Sequence, residues 1–161
     1  MRTTLIFVVC IAIVAFVGCH MGWYIPHAPV VEAAEEGDLE KVKSLIKQGR
    51  SINEQESTVK FGWTPLIAAI YQDNTNVVHF LIESGANLDL GDKNGETPLM
   101  WAMARGDAHV DIVRDLLAHG ANVFATNANG ATAFSYASSD PPKPKILEVV
   151  KAAILEQEKK K

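Results

Sequence analysis

The segment Thr64-Pro65-Leu66 recurs as Thr97-Pro98-Leu99, at a spacing of 33 residues. Each copy continues into alanines, a polar break, two apolar pairs and a Gly-Ala-Asn sequence, which is Gly85-Ala86-Asn87 in the first copy and Gly120-Ala121-Asn122 in the second. Self-similarity at a period of this length is typical of repeat architectures, in which each unit buries its apolar face against its neighbours. The period therefore constrains the fold more than any single motif does.

The residues within each repeat predict a helix–turn–helix unit. Threonine is a favoured helix N-cap and proline fits the first helical position, so each Thr-Pro pair predicts a helix start. The second helix carries apolar residues at helical spacing, as in Val77, Val78, Leu81 and Ile82, which predicts one buried face. A glycine such as Gly85 then ends that helix in a left-handed cap.

The run Asp92-Lys93-Asn94-Gly95-Glu96-Thr97-Pro98-Leu99 reproduces the Asp-x-x-Gly-x-Thr-Pro-Leu opening of the ankyrin repeat, and the chain resembles that family. A degenerate copy begins at Pro29 and a fourth copy at Asn127. The resemblance implies an all-α solenoid of about four helix–turn–helix units with β-hairpin-like connecting loops. It also implies that the chain binds protein partners.

The repeats divide the chain into an export segment, a linker and a repeat domain. We place these at residues 1–19, 20–27 and 28–158, with repeats at about 28–58, 59–91, 92–126 and 127–158. Thr97 and Thr132 are 35 residues apart, and we assign the two extra residues, Ala108-His109, to the inter-helix turn. In the fourth repeat Ala133 replaces the helix-starting proline, and its second helix is predicted at Lys145–Glu156.

The leading segment is uncharged and apolar from residue 5 to residue 17, with Arg2 before it. Such a run resembles the hydrophobic region of a secretory signal. As a helix it reaches only about 20 Å, less than the roughly 30 Å hydrocarbon core of a bilayer. Gly18-Cys19 at its end resembles a bacterial lipoprotein signal, although Phe16 stands where that pattern prefers leucine. This interpretation predicts lipidation at Cys19.

Three alternatives to lipidation stay open at this stage. The first is an uncleaved helical anchor that runs to Ile25, with Trp23 and Tyr24 at the membrane interface. The others are cleavage to a soluble secreted form and a segment without a role in export. The lipoprotein interpretation places the chain in the periplasm as an outer-membrane lipoprotein, because His20 rather than aspartate follows Cys19. The anchored form would place it at the inner membrane.

Charge and motif content argue against several functions. With 15 basic and 19 acidic residues the chain offers no electrostatic drive toward nucleic acid. No histidine pair shows the spacing of a metal site on one helix face, so no metal or cofactor is predicted. Asp107-Ala108-His109-Val110-Asp111 admits a small metal or acid–base site, but a polar inter-helix turn is the favoured interpretation. A small metal-dependent or acid–base enzyme is thus the less favoured class, and we predict a non-enzyme.

The resemblance implies partner contacts at the hairpin tips and on the first helices. Aromatic residues and arginine are enriched among the strongest contacts of protein interfaces. The predicted contacts are Lys60, Phe61, Trp63, Tyr71, Gln72, Lys93, Asn94, Glu96 and Arg105. Trp63 is left open between packing and binding, whereas Trp101 and Tyr136 are assigned to stacking along the groove.

These observations predict an extracytoplasmic, membrane-tethered protein–protein interaction module of the cell envelope. Its partner would be another protein, and its membrane contact would be the N-terminal lipid or helix. Such a module could scaffold an envelope enzyme or complex. An immunity protein that neutralises a toxin or hydrolase delivered to the periplasm is the alternative.

Overall fold

The computed structural model describes residues 28–55, 62–139 and 143–159. Within these ranges the chain forms α-helices and no β-strand. The helices are α1 (Pro29–Glu36), α2 (Leu39–Lys47), α3 (Pro65–Tyr71), α4 (Thr75–Glu83), α5 (Pro98–Ala104), α6 (Val110–Ala118), α7 (Ala133–Ala137) and α8 (Pro144–Glu158). A short 3₁₀ helix, Asp107–His109, precedes α6.

The helices form two rows. The first helices of the pairs, α1, α3, α5 and α7, contact one another in chain order, and the second helices, α2, α4, α6 and α8, do the same behind them. One hydrophobic core runs through all four pairs. Each pair therefore buries its apolar surface against its neighbours, and the prediction of an all-α repeat solenoid is confirmed.

Small residues hold the first helices close together. Ala34, Ala69, Ala102 and Ala137 are each fully buried, with no exposed surface. Since a methyl side chain keeps neighbouring backbones near each other, these positions set the spacing of the first row. The second row supplies the larger apolar side chains, which include Val77, Val78, Leu81, Ile82, Ile112, Val113, Leu116, Ile146 and Val150.

The predicted helix starts are confirmed at the two Thr-Pro sites. The Thr64 hydroxyl accepts a hydrogen bond from the backbone nitrogen of Ile67 at 3.2 Å, and the Thr97 hydroxyl accepts one from Met100 at 3.3 Å. In the fourth pair, where alanine replaces proline, the Thr132 N–H donates to the Ser135 hydroxyl at 3.2 Å. The first helix therefore starts at the same place in these three repeats.

The connecting loops are hairpin-like, as predicted. The Asp92 N–H donates to the Glu96 carbonyl at 3.1 Å, and the Asn127 N–H donates to the Ala131 carbonyl at 3.0 Å. The Ala128 N–H donates to the Asn94 carbonyl of the preceding tip at 2.7 Å. The third and fourth tips are thus joined by a backbone hydrogen bond.

One sequence irregularity and the last helix lie where they were expected. The extra Ala108-His109 lies in the turn between α5 and α6, where it forms the 3₁₀ helix. The last helix covers the predicted Lys145–Glu156 and runs slightly beyond it at both ends. The longer junction at Glu54–Lys60 lies mostly outside the described residues.

The leading segment, with Cys19 and the alternative anchor, also lies outside the described residues. In the part of the chain that is described, no helix combines the length and the apolar character needed to cross a membrane.

Candidate functional site

Three aromatic rings from the second and third repeats meet beside the first-helix row. Trp63 precedes the α3 cap, Tyr71 ends α3 and Trp101 lies in α5. The Trp63 and Tyr71 ring centroids are 4.6 Å apart, and those of Tyr71 and Trp101 are 5.7 Å apart with edge-to-face geometry. Trp63 and Trp101 are also edge to face, at 5.6 Å. Such pairs contribute about 0.5–1.5 kcal/mol beyond burial, so the cluster joins the two repeats firmly.

Exposure separates the roles of these rings. Trp63 is only 4% exposed, whereas Tyr71 is 37% exposed. Trp101 is half-buried, and its indole N–H donates to the Asp92 carboxylate at 3.3 Å. Trp63 was left open between packing and binding, and its small exposed area favours packing beneath the surface. Tyr71 presents the exposed edge of the cluster.

Arg105 extends the exposed edge. Its guanidinium carbon lies 5.4 Å from the centroid of the Tyr71 ring, within the range of a cation–π contact. Its Nη2 donates to the Asp73 carboxylate at 3.0 Å. Two predicted contact residues, 34 positions apart in the sequence, are therefore adjacent on the surface. Gln72, also predicted, is exposed directly after Tyr71.

Asp73 connects this surface to the next repeat. Its carboxylate accepts the Arg105 bond and a second one from the ring Nε2 of His109, at 2.5 Å. Burial raises the pKa of Asp73, but the hydrogen bonds and positive charge of Arg105 and His109 outweigh that effect and lower it below its ordinary value. Sequence reasoning missed Asp73. The available signal was its place in a turn where the first and third repeats carry Gly37 and Gly106.

The acidic residues around His109 do not converge on one point. Asp107 accepts hydrogen bonds from the first turn of α8, His109 binds Asp73, and Asp111 binds Arg114 at 3.0 Å. Among the described residues, no group of three potential ligands is placed to hold a metal ion. The Asp107 and His109 contacts join neighbouring repeats, whereas the Asp111 contact lies within α6, and this pattern is that of a polar inter-helix turn.

The other predicted contact residues lie at the hairpin tips and differ in their exposure. Lys93 and Asn94 are exposed. The side chain of Lys93 lies across Gly62, where an added Cβ would sit 2.7 Å from the Lys93 Cγ. Gly62 also has a φ of +71°, so both space and backbone require glycine there. Lys60 and Phe61 lie outside the described residues.

Glu96 is half-buried and holds Tyr136. It accepts a hydrogen bond from the Tyr136 hydroxyl at 2.5 Å, and the Asn127 amide donates to the same hydroxyl at 3.1 Å. Burial, together with the Glu96 carboxylate, raises the pKa of Tyr136 to about 12. Tyr136 was assigned to stacking along the groove; its ring packs against the core, and its hydroxyl binds the third and fourth tips through these hydrogen bonds. Glu96 therefore has a hydrogen-bond partner within the protein, in addition to its predicted contact with a binding partner.

Stacked helix pairs that share one hydrophobic core define a helical repeat protein. The chain belongs to the ankyrin repeat family, since the family model for ankyrin repeats (3 copies) matches residues 30–127 and again 92–159. Ankyrin repeats are protein–protein interaction modules.

Curated relatives are much longer proteins. The chain is 35% identical over 86 residues to ankyrin repeat and SAM domain-containing protein 6 of Rattus norvegicus, covering 53% of this chain and 10% of that protein. It is 37% identical over 109 residues to the RelA-associated inhibitor of Mus musculus, covering 67% of this chain and 13% of that protein. It is 36% identical over 73 residues to the 2-5A-dependent ribonuclease of Mus musculus, covering 45% of this chain and 10% of that protein. The shared part thus amounts to about a tenth of each relative, and the ribonuclease is an enzyme with additional domains.

Proposed function

We propose that this chain binds another protein through the first-helix face around Tyr71 and Arg105, assisted by the hairpin tips at Lys93 and Asn94. The observation that carries the proposal is the exposed Tyr71–Arg105 pair, held at 5.4 Å on a rigid aromatic base. Tyrosine and arginine are enriched at the centres of interfaces because they combine large contact area with hydrogen bonding. Among the relatives, the name of the RelA-associated inhibitor states a protein association for that protein.

Rigidity of the surface supports the same proposal. Trp63 is buried beneath Tyr71, and Trp101 is fixed to Asp92. A surface held in its binding conformation loses little conformational freedom on association. The first-helix face is therefore better suited to recognition than the second-helix row, where charged side chains such as Glu83 are exposed without an aromatic cluster.

Site-specific photo-crosslinking tests the proposal in the native cell. A photoreactive residue replaces Gln72, which is exposed beside Tyr71, and in a matched control it replaces Glu83, which is exposed on α4. We expect one discrete adduct from position 72 and none from position 83. The adduct should disappear when Tyr71→Ala and Arg105→Ala are combined. Equal adducts from both positions, or an adduct that persists in the double variant, would reject this surface.

We further propose that the repeats lie outside the cytoplasm, tethered by a lipid on Cys19. The support is the uncharged run from residue 5 to residue 17 and the Gly18-Cys19 sequence that ends it. Cys19→Ser should abolish labelling by a radioactive fatty acid and release the protein from the membrane fraction. Cys10→Ser is the matched control and should keep both. A Cys19→Ser protein that stays membrane-bound at full length would favour the uncleaved helical anchor instead.

The identity of the crosslinked protein separates two narrower functions. A toxin or hydrolase delivered from outside would establish the immunity function. A resident envelope enzyme or transporter would establish the scaffold. The measurement is mass spectrometry of the position-72 adduct, with inhibition of the captured hydrolase by the purified full chain as the second readout.

A further inference from the structure

Asp73 occupies a backbone conformation that does not require an aspartate. Its φ is +62°, and it is the non-glycine residue with positive φ in the described part of the chain. The corresponding turns of the first and third repeats carry Gly37, at +73°, and Gly106, at +91°. Glycine adopts this region without steric cost, whereas aspartate tolerates it less well. The side chain of Asp73 must therefore be explained by its contacts rather than by the turn.

Those contacts reach forward into the third repeat. The half-exposed carboxylate accepts Arg105 Nη2 at 3.0 Å and His109 Nε2 at 2.5 Å. His109 is buried, so it provides a fixed point on one side of the carboxylate, and Arg105 is exposed on the other. An arginine side chain has many rotamers, and pairing with a fixed carboxylate restricts them.

We propose that Asp73 is the positioning residue of the binding surface: anchored by His109, it holds the Arg105 guanidinium against the Tyr71 ring. This inference rests on the proposed function. Arginine carries five N–H donors, and the Asp73 contact uses Nη2. The guanidinium donors left over recognise oxygen acceptors of the partner, either a carboxylate or a peptide carbonyl.

A merely structural function accounts poorly for the Arg105 half of this arrangement. Exposed ion pairs contribute little to folding stability, and the Arg105 and Asp73 side chains are 35% and 53% exposed. Glycine at position 73 would relax the backbone. The aspartate carboxylate binds the buried His109 ring and also holds Arg105 beside Tyr71, which glycine could not do.

Nuclear spin relaxation of the Arg105 Nε–H group measures that order in the full chain without any partner. We compare wild type, Asp73→Gly, Asp73→Asn and a matched control, Asp111→Asn, which alters an Asp–Arg pair of the same 3.0 Å length on α6. Arg105 should become mobile in Asp73→Gly and stay largely ordered in Asp73→Asn, whose amide oxygen still accepts a hydrogen bond. It should be unchanged in Asp111→Asn. Equal order of Arg105 in wild type and Asp73→Gly would overturn the inference.

Binding supplies the second readout, with the protein captured from position 72 as the probe. Asp73→Gly should raise the dissociation constant of the complex with that protein by about threefold or more, the equivalent of one exposed cation–π contact. Asp73→Asn should retain most of the affinity. Unchanged affinity in Asp73→Gly would overturn the inference while leaving the proposed surface intact. A loss of affinity matched by a large loss of folding stability would assign Asp73 a structural function and overturn it as well. If position 72 captures nothing, the proposed function fails, and the relaxation measurement still decides whether Asp73 orders Arg105.

Discussion

The Asp107 carboxylate caps a helix that begins 37 residues further along the chain: its Oδ1 lies 3.2 Å from the backbone nitrogen of Ile146, in the first turn of α8. Its Oδ2 lies 3.4 Å from the nitrogen of Lys145. The residue at the N-cap position of α8 itself is Lys143, which makes no capping bond. The third repeat therefore supplies the helix cap that the fourth repeat lacks.

Replacing this cap should destabilise the protein. Asp107→Ala leaves the Lys145 and Ile146 N–H groups without their acceptor and removes a negative charge from the helix N-terminus, so the free energy of unfolding should fall by about 1 kcal/mol. Urea denaturation followed by circular dichroism measures it. Asp111→Ala, four residues away and exposed, is the control and should change stability by less than half as much. Equal effects of the two substitutions would contradict a capping function.

In the aromatic cluster, alanine substitutions of Trp63 and Tyr71 should lower the free energy of unfolding by different amounts. Trp63→Ala empties a site that is 4% exposed and should cost about 3–5 kcal/mol of unfolding free energy. Tyr71→Ala removes a ring that is 37% exposed and should cost about 1 kcal/mol. Thermal and urea denaturation give both values. If Tyr71→Ala proved as damaging as Trp63→Ala, Tyr71 would belong to the core rather than to the surface.

The fold could be predicted from local sequence patterns, whereas the proposed binding surface could be predicted only in part. Thr97-Pro98 starts a helix because cap and first-turn proline act within a few residues, so the sequence pattern is sufficient. Tyr71 and Arg105 were foreseeable from their residue types and their places in the repeat. The contacts of Asp73 and Asp107 were not, because their partners lie 32 to 39 residues away and depend on how one pair rotates on the next. Burial of Trp63 likewise depends on the rings of α3 and α5.

Acid should weaken the Asp73 contacts. Because the pKa of Asp73 is lowered below its ordinary value of 3.8, its contribution to stability is complete above that value and is lost as the pH falls toward the folded-state pKa. The contribution is small, no more than about 1 kcal/mol, since the side chain is half exposed. Urea denaturation of wild type and Asp73→Asn from about pH 7 to pH 3 measures it. The stability difference between the two should shrink on acidification, and a difference that stays constant would contradict the ion pair.

Tyr136 should ionise late. Its pKa is raised from 10.0 to about 12, so the associated stability is complete below pH 10.0 and is lost as the pH rises toward 12. Ultraviolet titration of wild type minus Tyr136→Phe isolates its phenolate signal, with tryptophan fluorescence reporting whether the fold persists. Glu96→Gln removes the neighbouring negative charge and should lower the pKa of Tyr136. An unchanged titration in Glu96→Gln would show that burial alone is responsible.

Because Asp107 of the third repeat caps α8 of the fourth, the segment that repeats in the sequence does not coincide with the segment that folds as a stable unit. A recombination event or an engineered cut between residues 126 and 127 would separate two complete sequence repeats, yet it would leave α8 without its acceptor. Asn74 shows the same dependence in the opposite direction, since its amide donates to the carbonyls of Ala34 and Glu35 at the end of α1. Shuffling of these repeats should therefore conserve adjacent pairs, with the third and fourth inherited together.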